Sequence, residues 1–262
     1  MYSVGSTPTA ICAIVCMTEE GKENDYGYPD YEASKKLWES VGCTVRGIPN
    51  PTEEELKRNL SEIKKDINDK HDYFIFEFIG HGGKKDKEYL RLKDEEEITV
   101  AEIRDIFSNK NLPALCGKPK LFFIQACRGR NKEQLYRAAT DAASVAGTSA
   151  TTYSDMFTLY ASISDHVSWF SSTSGSSRFI SALCEVVRRD FKYHDIKKMA
   201  TTVSAEVAKG NTDKYAQSIQ EVSTLIKEFH FVSPSEANTC FCMCMGRLFI
   251  CMRKDKLADV NK

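Results

Sequence analysis

Three short runs constrain the fold most. Residues 10–17 (AICAIVCM), 73–79 (YFIFEFI) and 120–126 (KLFFIQA) are apolar at almost every position. A strand with one wet face alternates polar and apolar residues. A strand covered on both faces does not, so these runs predict strands buried in the middle layer of a sandwich. Between them lie helical patterns with their own start signals. In residues 30–42 (DYEASKKLWESVG), Asp30 is placed to cap a helix, Leu37 and Val41 share a face, and Gly42 ends it. Thr52 followed by Glu55 forms a capping box, and Leu56, Leu60, Ile63 and Ile67 line one face. Thr99 and Glu102 repeat the capping signal before Ile103 and Phe107. Residues 43–48 (CTVRGI) add a short strand, and residues 84–97 read as a charged hairpin. Strand and helix thus alternate along the first half, which predicts a mainly parallel sheet with helices on both faces.

The rhythm breaks over residues 128–155, rich in Ala, Ser, Thr and Gly, which read as a linker. It resumes with a strand (MFTLYASI), helices over 177–189 and 195–209, and a last strand over 222–232. Residues 233–262 form a Cys/Met-rich C-terminal extension. There Cys240, Cys242 and Cys244 are spaced for lipidation or a soft metal only as a weak alternative. The boundaries expected are therefore 1–9, 10–127, 128–155, 156–232 and 233–262.

The net charge of −1 over 262 residues gives no electrostatic case for nucleic acid or an anionic membrane surface. No apolar run reaches the length of a membrane span, and no signal peptide opens the chain. The ten cysteines are mostly scattered singly through apolar stretches, without a CxxC pair spaced for zinc. Free thiols in a reducing, cytoplasmic setting are expected, with no cofactor and no metal.

The chemistry concentrates at two strand ends. Cys127 follows the 120–126 strand, and His81 follows the 73–79 strand in FIGHGG. Ligand crevices form at the carboxyl ends of parallel strands, so neighbouring strands would bring the two side chains together. His81 could then take the thiol proton and return it to a leaving amine. Gly82, lacking Cβ, can bring its N–H close to a substrate oxyanion together with the N–H of Cys127. A lone cysteine after a buried strand is usually a small core residue. The combination QACRG, with a histidine about 50 residues upstream, matches a family signature.

On these motifs, residues 10–232 resemble the catalytic domain of a caspase, the C14 family of Cys-His endopeptidases. HGGKKDKEYLRLKDEEEITVAEI resembles the histidine loop, hairpin and following helix. GKPKLFFIQACRG resembles the end of the large subunit, MFTLYASISDHVSW the start of the small one, and IKEFHF its last strand. The resemblance implies an α/β, three-layer caspase-like fold with a six-stranded, mostly parallel sheet flanked by helices. It implies catalytic Cys127 and His81 with Gly82 in the oxyanion hole. It implies substrate binding by Gln125, Val167, Ser168 and Trp169, and a homodimer or a heterodimer with another caspase through the last strand. It also implies zymogen activation by cleavage in the linker, for which Asp141 and Asp155 are candidate processing positions. The chain is similar to a short-prodomain executioner or a truncated form.

The aspartate pocket departs from the family pattern. The family holds the aspartate before the cut with two arginines and the motif glutamine. Gln125 is present. One arginine position falls on Asn24, and the other, after Ser168-Trp169, falls on Phe170. Removing one partner of a buried charge pair costs roughly 3–5 kcal/mol. A micromolar peptide binds with only about 8 kcal/mol. Asp-directed cleavage is therefore expected to be very weak or absent. Two readings follow. One is a weakly active or inactive homologue in programmed cell death that pairs with and regulates an active caspase. The other is an active endopeptidase with altered residue preference. In either, the partners are a caspase subunit and a peptide or protein substrate or inhibitor.

Overall fold

The structure is a computed structural model. It describes residues 1–18, 27–131, 151–168, 170–171, 176–212 and 215–232, with 130, 131, 170 and 171 described by backbone alone. In chain order the elements are β1 (Ala10–Cys16), α1 (Gly27–Ser40), β2 (Cys43–Pro49), α2 (Glu53–Asp66) and β3 (Tyr73–Ile79). Then come β4 (Gly82–Lys84), β5 (Glu88–Arg91), β6 (Glu97–Ile98), α3 (Val100–Ile106), β7 (Lys120–Gln125) and β8 (Gly129–Asn131). The rest are β9 (Met156–Tyr160), β10 (Asp165–His166), β11 (Phe170–Ser171), β12 (Ser176–Ser177), α4 (Arg178–Asp190), α5 (Ile196–Lys209) and β13 (Gln220–Ser223).

The three buried runs are the heart of one six-stranded sheet, ordered β13-β9-β7-β3-β1-β2. Five strands are parallel, and β13 closes one edge antiparallel to β9. Alternate residues face opposite layers. Cys12, Ile14, Ile75, Leu121, Phe123 and Phe157 pack against α1, α4 and α5. Ile11, Ala13, Val15, Phe74, Phe76, Phe122 and Ile124 pack against α2 and α3. The sheet is covered on both faces, as the unbroken apolar runs required. Among the described residues no helix is long and apolar enough to cross a membrane.

Local signals set the helix ends. The Thr52–Glu55 box forms fully. Thr52 Oγ1 accepts the Glu55 N–H at 3.2 Å, and the Glu55 carboxylate accepts the Thr52 N–H at 3.0 Å. These bonds hold the Glu55 carboxyl below the usual carboxylate range. Thr52→Ala leaves the Glu55 N–H without its side-chain acceptor, while the residue-52 N–H keeps the Glu55 carboxylate. It is expected to lower unfolding free energy by about 1 kcal/mol, read as a reduced urea midpoint with unchanged slope. After α1, Gly42 takes φ +87° and donates to the Glu39 carbonyl, the left-handed stop its position predicted.

Two expectations change. Asp30 does not cap a helix; it lies inside the first turn of α1, fully buried. The last strand covers only Gln220–Ser223, not 222–232. The following segment spends its backbone elsewhere: the Glu228 carbonyl accepts from Tyr2 N at 2.8 Å, and the Phe229 carbonyl from Ile196 N at 2.9 Å. Phe229 and Phe231 drop their rings onto Tyr73 at 5.1 and 5.8 Å, in the α1/α4/α5 layer. The alternation that resembled a strand is a docking pattern for two rings.

Candidate active site

Register builds the site. β3 and β7 run side by side and parallel, with Ile79 opposite Gln125. One step further, the Gly80 N–H donates to the Gln125 carbonyl at 3.0 Å. His81 and Cys127 each stand two residues past that last pair, at the same carboxyl edge. The β1 strand ends there too, where Met17 N donates to Ile79 O at 2.8 Å.

The histidine turn presses on the cysteine backbone. A Cβ on Gly82 would lie 2.7 Å from the Cys127 carbonyl oxygen, 2.7 Å from that of Tyr89 and 3.2 Å from Ala126 Cβ. Only glycine fits this approach. The His81 carbonyl accepts from Arg91 N at 2.9 Å, which ties the turn to β5. The His81 side chain is exposed and Cys127 is half-buried.

Ser168 lies directly on the thiol. Its N–H points to Cys127 Sγ at 3.4 Å, its Oγ is 3.7 Å from that sulfur, and its carbonyl is 3.9 Å away. The same Oγ accepts from Gln125 Nε2 at 3.5 Å. Gln125 is fully buried, and among the described residues its Oε1 has no hydrogen-bond partner. Cys127, Gln125 and Ser168 are thus brought together, with half-buried Val167 just before them. Phe170 is placed by its backbone in the β11–β12 ribbon, opposite Ser177. Asn24, Trp169 and Asp141 lie outside the described residues.

Asp155 is not presented as a processing position. It is fully buried in the left-handed region at φ 63°. Its carboxylate accepts from Tyr2 Oη and Ser154 Oγ, each at 2.7 Å, and its N–H donates to Thr224 O at 3.1 Å. The expected linker also begins and ends inside the folded body. Gly129–Asn131 pair with β10, and Thr151 and Thr152 carbonyls accept from Asn109 at 2.8 and 3.0 Å. Residues 132–150 lie outside the described residues.

Two residues that support the site are easily missed in the sequence. Arg128 turns inward beside Cys127. Its guanidinium meets Glu88 at 2.6 Å, the Ser162 carbonyl at 3.1 Å, the Gln220 side chain, and the face of Tyr160 at 3.9 Å. It ties the loop after Cys127 to β5, β9 and β13. Its place as the arginine of the QACRG signature was the available signal. Asp30 is the second. Its carboxylate accepts the Ser177 N–H at 2.9 Å and the Ser176 hydroxyl, which fixes the strand opposite Phe170. Burial raises its pKa, and these hydrogen bonds offset part of that rise.

A caspase-domain family model matches residues 9–230. Cell death protein 3 of Caenorhabditis remanei is 27% identical over 271 aligned positions, covering 88% of this chain and 52% of that protein. Caspase-1 of Spodoptera frugiperda is 28% identical over 182 positions, covering 68% and 59%. Caspase-14 of Homo sapiens is 25% identical over 214 positions, covering 79% and 84%. The chain therefore spans about half the length of the first of these relatives. The crystal structure of caspase-1 from Spodoptera frugiperda superposes with a TM-score of 0.75 at 21% identity, over 88% of this chain and 93% of that one. That likeness shows the three-layer fold.

Proposed function

The chain belongs to the caspase-domain family, and from that premise we propose that it is a Cys-His endopeptidase of programmed cell death whose preference has moved away from aspartate. One observation carries the reading: the β3/β7 register sets His81 and Cys127 at one sheet edge, with Gly82 packed on the Cys127 carbonyl. His81 takes the Sγ proton, and the thiolate adds to the scissile carbonyl. The N–H groups of Gly82 and Cys127 receive the oxyanion. The amine leaves with the proton held by His81, and water then hydrolyses the thioester. Ser168 covers the sulfur in the resting state and withdraws for the peptide to enter.

Aspartate is disfavoured by charge. Among the described residues, Ser168 is the sole hydrogen-bond partner of the Gln125 carboxamide, and no guanidinium of those residues joins it there to meet a buried carboxylate. The sequence positions that would supply one carry Asn24 and Phe170. The test is a fluorogenic peptide library with every residue before the cut. Iodoacetamide-sensitive turnover with aspartate peptides among the poorest supports the reading. Aspartate as the best substrate, or no turnover at all, would sink it.

The second reading is a regulatory subunit, favoured by the edge strand. Among the described residues β13 has β9 as its one strand neighbour, and Val222 on it and Ile226 just after it expose 36% and 37% of their surface. An edge of this kind pairs readily with another chain. Co-expression with an active caspase is expected to give a heterodimer on size-exclusion chromatography that Val222→Lys disrupts. Unchanged elution of both chains counts against it.

A further inference from the structure

We infer that the Gln125 carboxamide beside Cys127 selects a carboxamide side chain, asparagine or glutamine, before the scissile bond; this rests on the endopeptidase reading above and narrows it. The argument starts from an accounting of one side chain. Gln125 is fully buried, yet among the described residues its Oε1 has no partner, and its Nε2 has only a long 3.5 Å bond to Ser168 Oγ. Buried amide atoms are almost always paired, and leaving one unpaired is costly. Ser168 also holds Cys127 Sγ through its N–H at 3.4 Å. The carboxamide and the reacting sulfur therefore flank one residue. When Ser168 moves off the sulfur to admit a peptide, the Gln125 carboxamide loses its one described partner as well. Both ends of its amide then face the incoming side chain.

The three classes of side chain fare differently against that pair of groups. A carboxylate accepts from Nε2 but sets its second oxygen against Oε1, with two acceptors facing each other. It also enters with a charge that, among the described residues, no cation bonded to Gln125 or Ser168 offsets. An aliphatic side chain leaves both amide atoms unpaired. A carboxamide donates to Oε1 and accepts from Nε2, so both are satisfied by one planar group. Turning the Gln125 amide by half a rotation exchanges the two roles and leaves this match intact. A site built to hydrogen-bond its substrate rejects analogues that lack the groups.

The experiment compares peptides that differ only in the residue before the cut: Asn, Gln, Asp and Leu. Turnover is measured with the full chain, and binding of the same labelled peptides with Cys127→Ala. The better of the Asn and Gln peptides is expected to exceed both Asp and Leu by about 10- to 100-fold in kcat/KM and in affinity. Gln125→Met, which keeps the shape and removes both polar ends, is expected to erase the advantage over Leu. Turnover without a carboxamide preference overturns the inference and leaves the endopeptidase reading standing. Carboxamide-selective binding without turnover supports the inference and overturns that reading. Equal binding of all four peptides overturns the inference. A retained preference in a folded Gln125→Met overturns its assignment to Gln125. Should that variant not fold, the Cys127→Ala binding series decides alone.

Discussion

Alanine at Cys127 is expected to abolish peptide turnover, and alanine at Gly82 to lower kcat by about 10²–10³-fold in a chain that still folds. The first removes the nucleophile. The second acts on the frame that aims it. A methyl group at Gly82 meets the carbonyl oxygens of Cys127 and Tyr89, each at 2.7 Å. Neither is the end of a flexible side chain, so backbone must move. The movement separates β4 from the loop after β7 and displaces both N–H groups offered to the oxyanion. His81→Ala leaves that frame and removes the proton carrier, with an expected loss of about 10²–10⁴-fold. The three variants differ in signature. Imidazole added to the buffer should restore part of the activity lost in His81→Ala and none of that lost in Gly82→Ala. Wild-type kcat in a folded Gly82→Ala would remove Gly82 from the catalytic frame.

The framework of this site is legible in the sequence because it rests on local rules. Strands covered on both faces show as unbroken apolar runs, and the capping boxes at Thr52 and Thr99 close as expected. His81 and Cys127 were locatable because each directly follows such a run. What the sequence hides depends on distant chain segments. Asp30 reads as a cap, since aspartate before a helical pattern is usually one. Its real partners are Ser176 and Ser177, nearly 150 positions away. Arg128 looks like a surface charge in a basic turn, and only the fold supplies Glu88 and the Tyr160 ring. Ser168 was legible from the Ser168-Trp169 pair, but its contact with the thiol, which spans 41 positions, was not. Asp155 looks like a linker residue until Tyr2, at the other end of the chain, is seen to hold it.

Glu77 should make the protein less stable as pH rises from about 4.5 through 7, and Glu77→Gln should remove most of that dependence. This carboxyl sits in the middle of β3, fully buried on the α1/α4/α5 face of the sheet. Its oxygens accept from Ser34 Oγ at 2.6 Å and from Trp38 Nε1. Burial lifts its pKa to about 7, those two hydrogen bonds pull it down, and nearby Asp30 adds to the rise. The thiols of Cys12 and Cys184 face the same space and are themselves pushed up, chiefly by burial. The folded chain therefore holds a proton that the unfolded chain releases near the ordinary value of 4.5. Wherever the folded state binds more protons, stability falls with rising pH. The benefit is complete below about 4.5 and is lost as pH passes through 7, an effect of roughly 3 kcal/mol for a single group. Asp30, also raised, contributes with the same sign. In Glu77→Gln the amide stays neutral, accepts from Trp38 and donates to a reversed Ser34 hydroxyl. Its melting temperature should match wild type near pH 5 and exceed it by roughly 10 °C at pH 8. Parallel melting curves across that range would mean that Glu77 stays ionised throughout, and that the Ser34 and Trp38 hydrogen bonds outweigh its burial.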